Sequence, residues 1–167
     1  GGQLGRMLAL KGREMGYRFV ALDPTPDSPC GQVSDRQITA AYSDEAAARE
    51  LAALADVITY EFENVNASVA AILERESRVP QGSALLRTTQ HRLREKRAIE
   101  AAGAQVAPYR EIASLSDLRE AVNRLGTPCV LKTVTGGYDG KGQAVIRRAS
   151  DAAEAFASLG AGAVELV

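Results

Sequence analysis

The chain has 167 residues, with 20 Lys and Arg against 21 Asp and Glu, a formal net charge of −1 and 46% hydrophobic residues. Charge this evenly balanced creates no long-range field for nucleic acid or anionic lipid, so the partners it implies are small molecules. No apolar run approaches the roughly 20 residues of a bilayer-crossing helix and no signal peptide is visible, which together predict a cytoplasmic protein without membrane partners. Cys30 and Cys129 lack a second Cys or His at metal spacing and read as reduced, packed thiols, and no metal ligand is singled out.

In chain order, Gly1-Gly2 opens a glycine loop that runs into an amphipathic helix to about Met15. Tyr17 to Asp23 reads as an apolar strand closed by Asp23-Pro24. A loop rich in Pro and Gly follows, then a short strand from Ile38 to Ala40 and a helix to Leu54 that Ser43 can cap, with Asp44 and Glu45 in its first turn. Asp56 to Tyr60 is predicted as another strand, and a helix as running from near Asn66 to Glu76. Strands alternating with helices imply a parallel sheet, whose ligands gather beyond the strands' carboxyl ends, here Asp23 and Glu61. The glycine loop normally follows a strand, none precedes Gly1, and the chain stops in a strand-like Val164 to Val167, so the sequence reads as a truncated piece.

Pro80 and Gly82 interrupt this pattern, which predicts a Rossmann-like domain over 1–82 and a second domain over 83–167. The second begins with a charged helix from Thr89 to Ala102, stopped by Gly103. Ser114 with Asp117 forms a capping box ahead of a helix whose Leu115, Leu118, Val122 and Leu125 share one face. Cys129 to Val134 and Gln143 to Arg148 are predicted as a hairpin, Ser150 as the cap of an alanine-rich helix, and Ala163 to Val167 as a last strand. This half is α+β with antiparallel pairing.

The hairpin carries the most informative residues. A lysine within an apolar strand is costly to desolvate unless an anion compensates it, so Lys132 is predicted to face a bound phosphate. The loop behind it holds Gly136, Gly137, Gly140 and Gly142, which let backbone N–H groups approach phosphate oxygens, and Lys141 adds a mobile charge. The competing reading is a flexible tip with Lys132 snorkelling at a sheet edge. A P-loop is excluded, because no Gly-Lys-Ser/Thr follows and the loop leads into a strand. Gly1, Gly5 and Asp23 could also mimic a dinucleotide fingerprint. Arg92, Arg94, Lys96 and Arg97 read mostly as a solvated helix face, His91 as a surface residue, and Tyr42 and Tyr109 as packing or edge positions.

Leu131-Lys132 followed by Gly136-Gly137-Tyr138-Asp139-Gly140-Lys141-Gly142-Gln143 resembles the nucleotide-binding lysine and phosphate loop of the N5-carboxyaminoimidazole ribonucleotide synthetases, ligases of the ATP-grasp superfamily. Gly1-Gly2-Gln3-Leu4-Gly5-Arg6-Met7 is similar to that family's amino-terminal glycine loop, and Tyr60-Glu61-Phe62-Glu63-Asn64-Val65 to its acidic strand-end motif. Gln90 to Lys96 resembles the helix that carries an ATP-contacting arginine, which would be Arg92. The resemblance implies a Rossmann-like pre-ATP-grasp domain followed by an ATP-grasp subdomain.

It also implies ATP-dependent carboxylation of aminoimidazole ribonucleotide by bicarbonate through carboxyphosphate, with Mg²⁺, in purine biosynthesis and in a homodimer. On that basis Arg92, Lys132, Gly137, Tyr138, Asp139, Gly140, Lys141, Gly142 and Gln143 would hold ATP. Glu165 either approaches the adenine hinge or precedes the hinge glutamate by several residues. Gln3, Leu4, Glu61, Tyr138 and Asp139 would meet the ribonucleotide, and Asp139 and Lys141 would act in catalysis. The family's Mg²⁺ carboxylates and a downstream histidine are expected beyond this stretch, which alone would be inactive. Formate-dependent glycinamide ribonucleotide transformylase shares the order of motifs, and a non-catalytic nucleotide-binding module remains the alternative from another class.

Overall fold

The structure is a computed structural model that describes residues 1–137, 141–159 and 164–167, the side chains of Val164 and Glu165 excepted. The chain divides into two compact units, Gly1–Arg87 and Thr88–Val167.

The first unit opens with α1 (Gln3–Glu14), whose last turn carries Lys11 and Arg13 where the helix dipole favours cations. Its Gly12 lies against the Phe19 ring, where a Cβ would stand 2.4 Å from Cζ. Close contact of this kind brings the helix onto β1 (Val20–Asp23), which pairs in parallel with β2 (Arg36–Thr39) in the register Val20 to Arg36 through Asp23 to Thr39. β1 starts three residues later than the apolar run from Tyr17 suggests, whereas β2 starts two residues before the expected Ile38 and ends one before Ala40, because pairing with β1 takes in the polar Arg36 and Gln37. Two helices follow, α2 (Glu45–Leu54) and α3 (Ala67–Glu76), each with a carboxylate or amide oxygen on its first free amides. Asp44 Oδ1 accepts from the N–H groups of Ala46 and Ala47, and Asn66 Oδ1 from those of Ser68 and Val69. The cap of α2 is therefore Asp44 and not Ser43.

Asp56 to Tyr60 is no strand; it bends at Asp56 and Val57. Ile58 donates its N–H to the Arg78 carbonyl at 2.9 Å, yet no strand among the described residues pairs with the segment. A cavity of about 190 Å³ is lined both by Val20 and Leu22 of β1 and by Ile58 and Tyr60. Ile38, Ala48, Leu51, Val69 and Leu73 form the main core of this unit. The next helix, α4 (Gly82–Thr89), starts where Glu74 Oε2 accepts from the N–H and Oγ of Ser83.

The predicted helix from Thr89 to Ala102 is broken: α5 (Arg92–Ala101) starts afresh after an extended His91. His91 is thus a half-buried cap position, not a residue on a polar helix face. The rest of the second unit runs β3 (Arg110–Ile112), α6 (Leu115–Leu125), β4 (Cys129–Thr133), β5 (Gln143–Ile146), α7 (Ala152–Ser158) and β6 (Val164–Leu166). The short β3 carries no alternation long enough to read from sequence. Ser114 Oγ accepts from the Asp117 N–H, and Asp117 Oδ2 accepts in return from the Ala113 N–H, a capping box shifted back by one residue. Ser150 does not cap α7; a 3₁₀ turn over Ala149–Asp151 precedes the helix, and the Ser150 hydroxyl donates to Asp151.

The sheet is antiparallel in the order β3-β6-β4-β5. Leu118, Ala121 and Val122 of α6 pack with Leu131, Ile146 and Leu166 of the sheet. That core uses alternate residues of β4, Cys129 and Leu131, and so leaves Val130 and Lys132 to the other face.

Candidate functional site

Lys132 sits on β4, an inner strand of the sheet, with Gln143 of β5 opposite it on one side and Glu165 of β6 on the other. An inner strand is not where a lysine snorkels round a sheet edge, and Lys132 is half-buried. The glycine loop begins directly after this strand. Thr133 closes its stem: the Thr133 N–H donates to the Gly142 carbonyl at 2.8 Å and Oγ1 donates to the same oxygen at 3.3 Å.

Arg92, at the first turn of α5, reaches the same stem. Its backbone N–H donates to the Val134 carbonyl at 2.9 Å, Nε to the Thr133 carbonyl at 2.9 Å and Nη2 to the Gly137 carbonyl at 3.1 Å. The structure thus brings Arg92, Lys132, Gly137, Gly142 and Gln143 around one loop, with Lys141 exposed beside Gly142. Tyr138, Asp139 and Gly140 lie outside the described residues, and for Glu165 the described part is its backbone pairing with Lys132 and Glu111.

One residue farther along α5 differs from expectation. Lys96 is not solvated; its ammonium lies 4.7 Å from the centroid of the Tyr109 ring, a cation–π contact. Tyr109 in turn donates its hydroxyl to Glu100 at 3.0 Å.

In the first unit, Gln3 and Leu4 occupy the first turn of α1 and are exposed. Gly2 provides no side-chain cap. Glu61 does so instead: its Oε1 accepts the Gly5 N–H at 3.2 Å, placing a carboxylate at the positive end of the helix dipole. Gln3, Leu4 and Glu61 therefore share one corner. A Cβ on Gly5 would stand 3.0 Å from Glu61 Oε1, so the glycine permits this approach.

Asp23, one of the two strand-end acids expected near a ligand, and Tyr42, expected only at a packing or edge position, belong to the same corner. Asp23 Oδ1 accepts the Thr25 N–H at 2.8 Å, and Oδ2 accepts the Tyr42 hydroxyl at 2.9 Å. Burial raises the Asp23 pKa, but the hydrogen bonds from the Thr25 amide and the Tyr42 hydroxyl lower it, leaving the carboxyl below its ordinary value. Burial, with the Asp23 and Glu61 charges, pushes Tyr42 up, so it remains a neutral donor. The Tyr42 ring meets Phe62 edge-on at 5.9 Å between centroids. The only signal for this pair in the sequence was an acidic residue ending a strand.

Among the described residues no group of three His, Cys, Asp or Glu side chains could hold a metal ion.

A parallel-stranded first unit followed by an antiparallel sheet with a lysine-backed glycine loop defines a class. The chain belongs to the ribonucleotide synthetase pre-ATP-grasp family, whose model matches residues 1–90, and continues into an ATP-grasp domain over residues 97–167. Within that class it is similar to N5-carboxyaminoimidazole ribonucleotide synthases. The Bacillus subtilis protein of that name is 50% identical over 95% of this chain and 42% of its own length. A crystal structure of the ADP complex of an N5-carboxyaminoimidazole ribonucleotide synthetase matches with a TM-score of 0.94 at 51% identity, over 99% of this chain and 44% of that one. The Aspergillus clavatus synthase, solved with ADP and 5-aminoimidazole ribonucleotide, matches with a TM-score of 0.89 at 27% identity over 99% of this chain and 44% of its own. The chain thus spans less than half the length of these relatives.

Proposed function

We propose that the protein to which this chain belongs carboxylates 5-aminoimidazole ribonucleotide with bicarbonate at the expense of ATP, giving N5-carboxyaminoimidazole ribonucleotide. The supporting observation is Lys132, a half-buried lysine on an inner strand, opening directly into a glycine loop with a fixed stem. A bicarbonate oxygen attacks the γ-phosphorus, the bond to the β-phosphate oxygen breaks and ADP leaves with that electron pair. The exocyclic amine of the ribonucleotide then attacks the carboxyl carbon of carboxyphosphate, phosphate departs and takes up the amine proton.

The chemistry places negative charge on phosphoryl oxygens, so preorganised positive groups lower its barrier. Lys132 neutralises the transferring phosphate, while the N–H groups of Gly137 and Gly142 with Lys141 and Gln143 line its surroundings. In this reading Tyr138, Asp139 and Gly140 bind ATP, Tyr138 and Asp139 also the ribonucleotide, Asp139 and Lys141 act in catalysis, and Glu165 either serves the adenine or precedes the residue that does. Gln3, Leu4 and Glu61 receive the ribonucleotide at the α1 corner. The resident Mg²⁺ would bind carboxylates outside the described residues. The reading extends to a cytoplasmic homodimer, which sedimentation of the complete protein tests.

ADP release by the complete protein is expected to require both the aminoimidazole ribonucleotide and bicarbonate. Release at the same rate without either would rule the reaction out.

A further inference from the structure

We propose that Arg92 and Thr133 form a clamp that sets the stem of the glycine loop, and that Arg92 is a positioning residue acting on the nucleotide through the loop. The proposal rests on the nucleotide-binding reading of that loop. Arg92 donates to three carbonyls, those of Thr133, Val134 and Gly137, which lie on the strand end and on the outgoing limb of the loop. Thr133 ties the returning limb to the same point through two bonds to the Gly142 carbonyl. One residue pair thereby holds both limbs.

The guanidinium suits this task because its donors are fixed in a planar fork, so Nε and Nη2 reach two carbonyls at once. An ammonium at the same place has no such fork. The helix behind the fork is anchored as well: the Arg92 amide, one of the helix's otherwise free first amides, is taken up by Val134, and the next residue, Leu93, is 1% exposed.

The glycines fit this arrangement sterically. A Cβ on Gly137 would stand 3.0 Å from Arg92 Nη2 and 2.9 Å from the Lys141 carbonyl, and a Cβ on Gly142 would stand 2.6 Å from Thr133 Oγ1. Glycine at these two positions makes room for the clamp, independently of any ligand. With two of its side-chain nitrogens given to loop carbonyls, Arg92 fixes where the loop N–H groups point, and preorganised donors are what phosphoryl transfer needs.

The test compares Arg92→Lys, Arg92→Ala, Thr133→Val and Lys132→Met in the complete protein, reading ATP affinity by calorimetry and hydrogen exchange at the Thr133 amide without nucleotide. Arg92→Ala is expected to weaken ATP about tenfold, the order of losing a charged donor's hydrogen bonds, and Arg92→Lys to recover little of it. Thr133→Val, which leaves all charges in place, should weaken ATP in the same direction, and exchange at the Thr133 amide should quicken in Arg92→Ala. Lys132→Met should lose ATP without altering that exchange. If Arg92→Lys restores affinity while Thr133→Val is silent, or exchange in Arg92→Ala is unchanged, the clamp is overturned and the nucleotide site stands. If Lys132→Met binds ATP normally, the nucleotide reading fails and the clamp's role in binding fails with it.

Discussion

Asp23 is 6% exposed, and its two carboxylate oxygens are each engaged, by the Thr25 amide and by the Tyr42 hydroxyl. Its pKa in the folded protein is held below the ordinary carboxyl value, so the stability it contributes is complete above that value and is lost as pH falls through the lower, folded one. Asp23→Asn keeps the shape but offers only one acceptor atom for two donors. The variant is expected to be less stable at neutral pH by about 1–3 kcal/mol. Its stability should also fall less steeply than the parent's as pH drops below 3.8. Denaturant melts at a series of pH values measure both effects; parallel acid limbs in the two proteins would show that Asp23 is not the titrating group. Because Tyr42 carries the link onward to Phe62 beside Glu61, the same substitution should also weaken ribonucleotide binding, read by titration at neutral pH.

At the scale of elements, the glycine-rich hairpin and the helix stop at Gly103 give a controlled comparison. Both Gly103 and Gly142 have positive φ, at 81° and 68°. A Cβ on Gly103 meets nothing within 4 Å, whereas one on Gly142 collides with Thr133 Oγ1 at 2.6 Å. Gly103→Ala is therefore expected to cost about 1–2 kcal/mol of backbone strain alone and to leave ATP affinity as it was. Gly142→Ala should carry that strain and also displace the loop stem, weakening ATP about tenfold or more. Equal effects of the two on ATP titration would mean that the stem geometry is irrelevant.

The hairpin was legible because a lysine in an apolar strand is a local anomaly. So was the cap at Ser114, whose side chain reaches an amide three residues away. Ser43 and Asp44 are both capping types, and only the chain's actual turn selects the second. Asp56 to Tyr60 has strand composition, but a strand needs a partner, which composition does not carry. The bonds of Arg92 to Thr133 and Gly137 span 41 and 45 positions, beyond any local pattern. Resemblance pointed to the arginine as a ligand of ATP; its hydrogen bonds to the loop required coordinates.

On the scale of the whole chain, each unit has a core of its own. The cluster around Leu118, Leu131, Ile146 and Leu166 contains residues of the second unit alone, and the clusters around Ala48 and Leu73 and around Ala9 and Ala21 contain residues of the first alone. Apolar burial, the main term favouring folding, is thus satisfied twice over, separately. Leu118 is 0% exposed on the packed face of α6, and Leu118→Ala leaves a cavity there that should cost about 2–5 kcal/mol. With separate cores that loss belongs to the second unit. Hydrogen exchange in the complete protein should quicken at the amides of β4 and β6, while those of α2 and α3 keep their protection. The glycine loop, which is mounted on β4, should lose ATP affinity in step with the exchange, while the Gly5 amide at the α1 corner should keep its protection. Uniform acceleration across both units would mean instead that they open in one cooperative step.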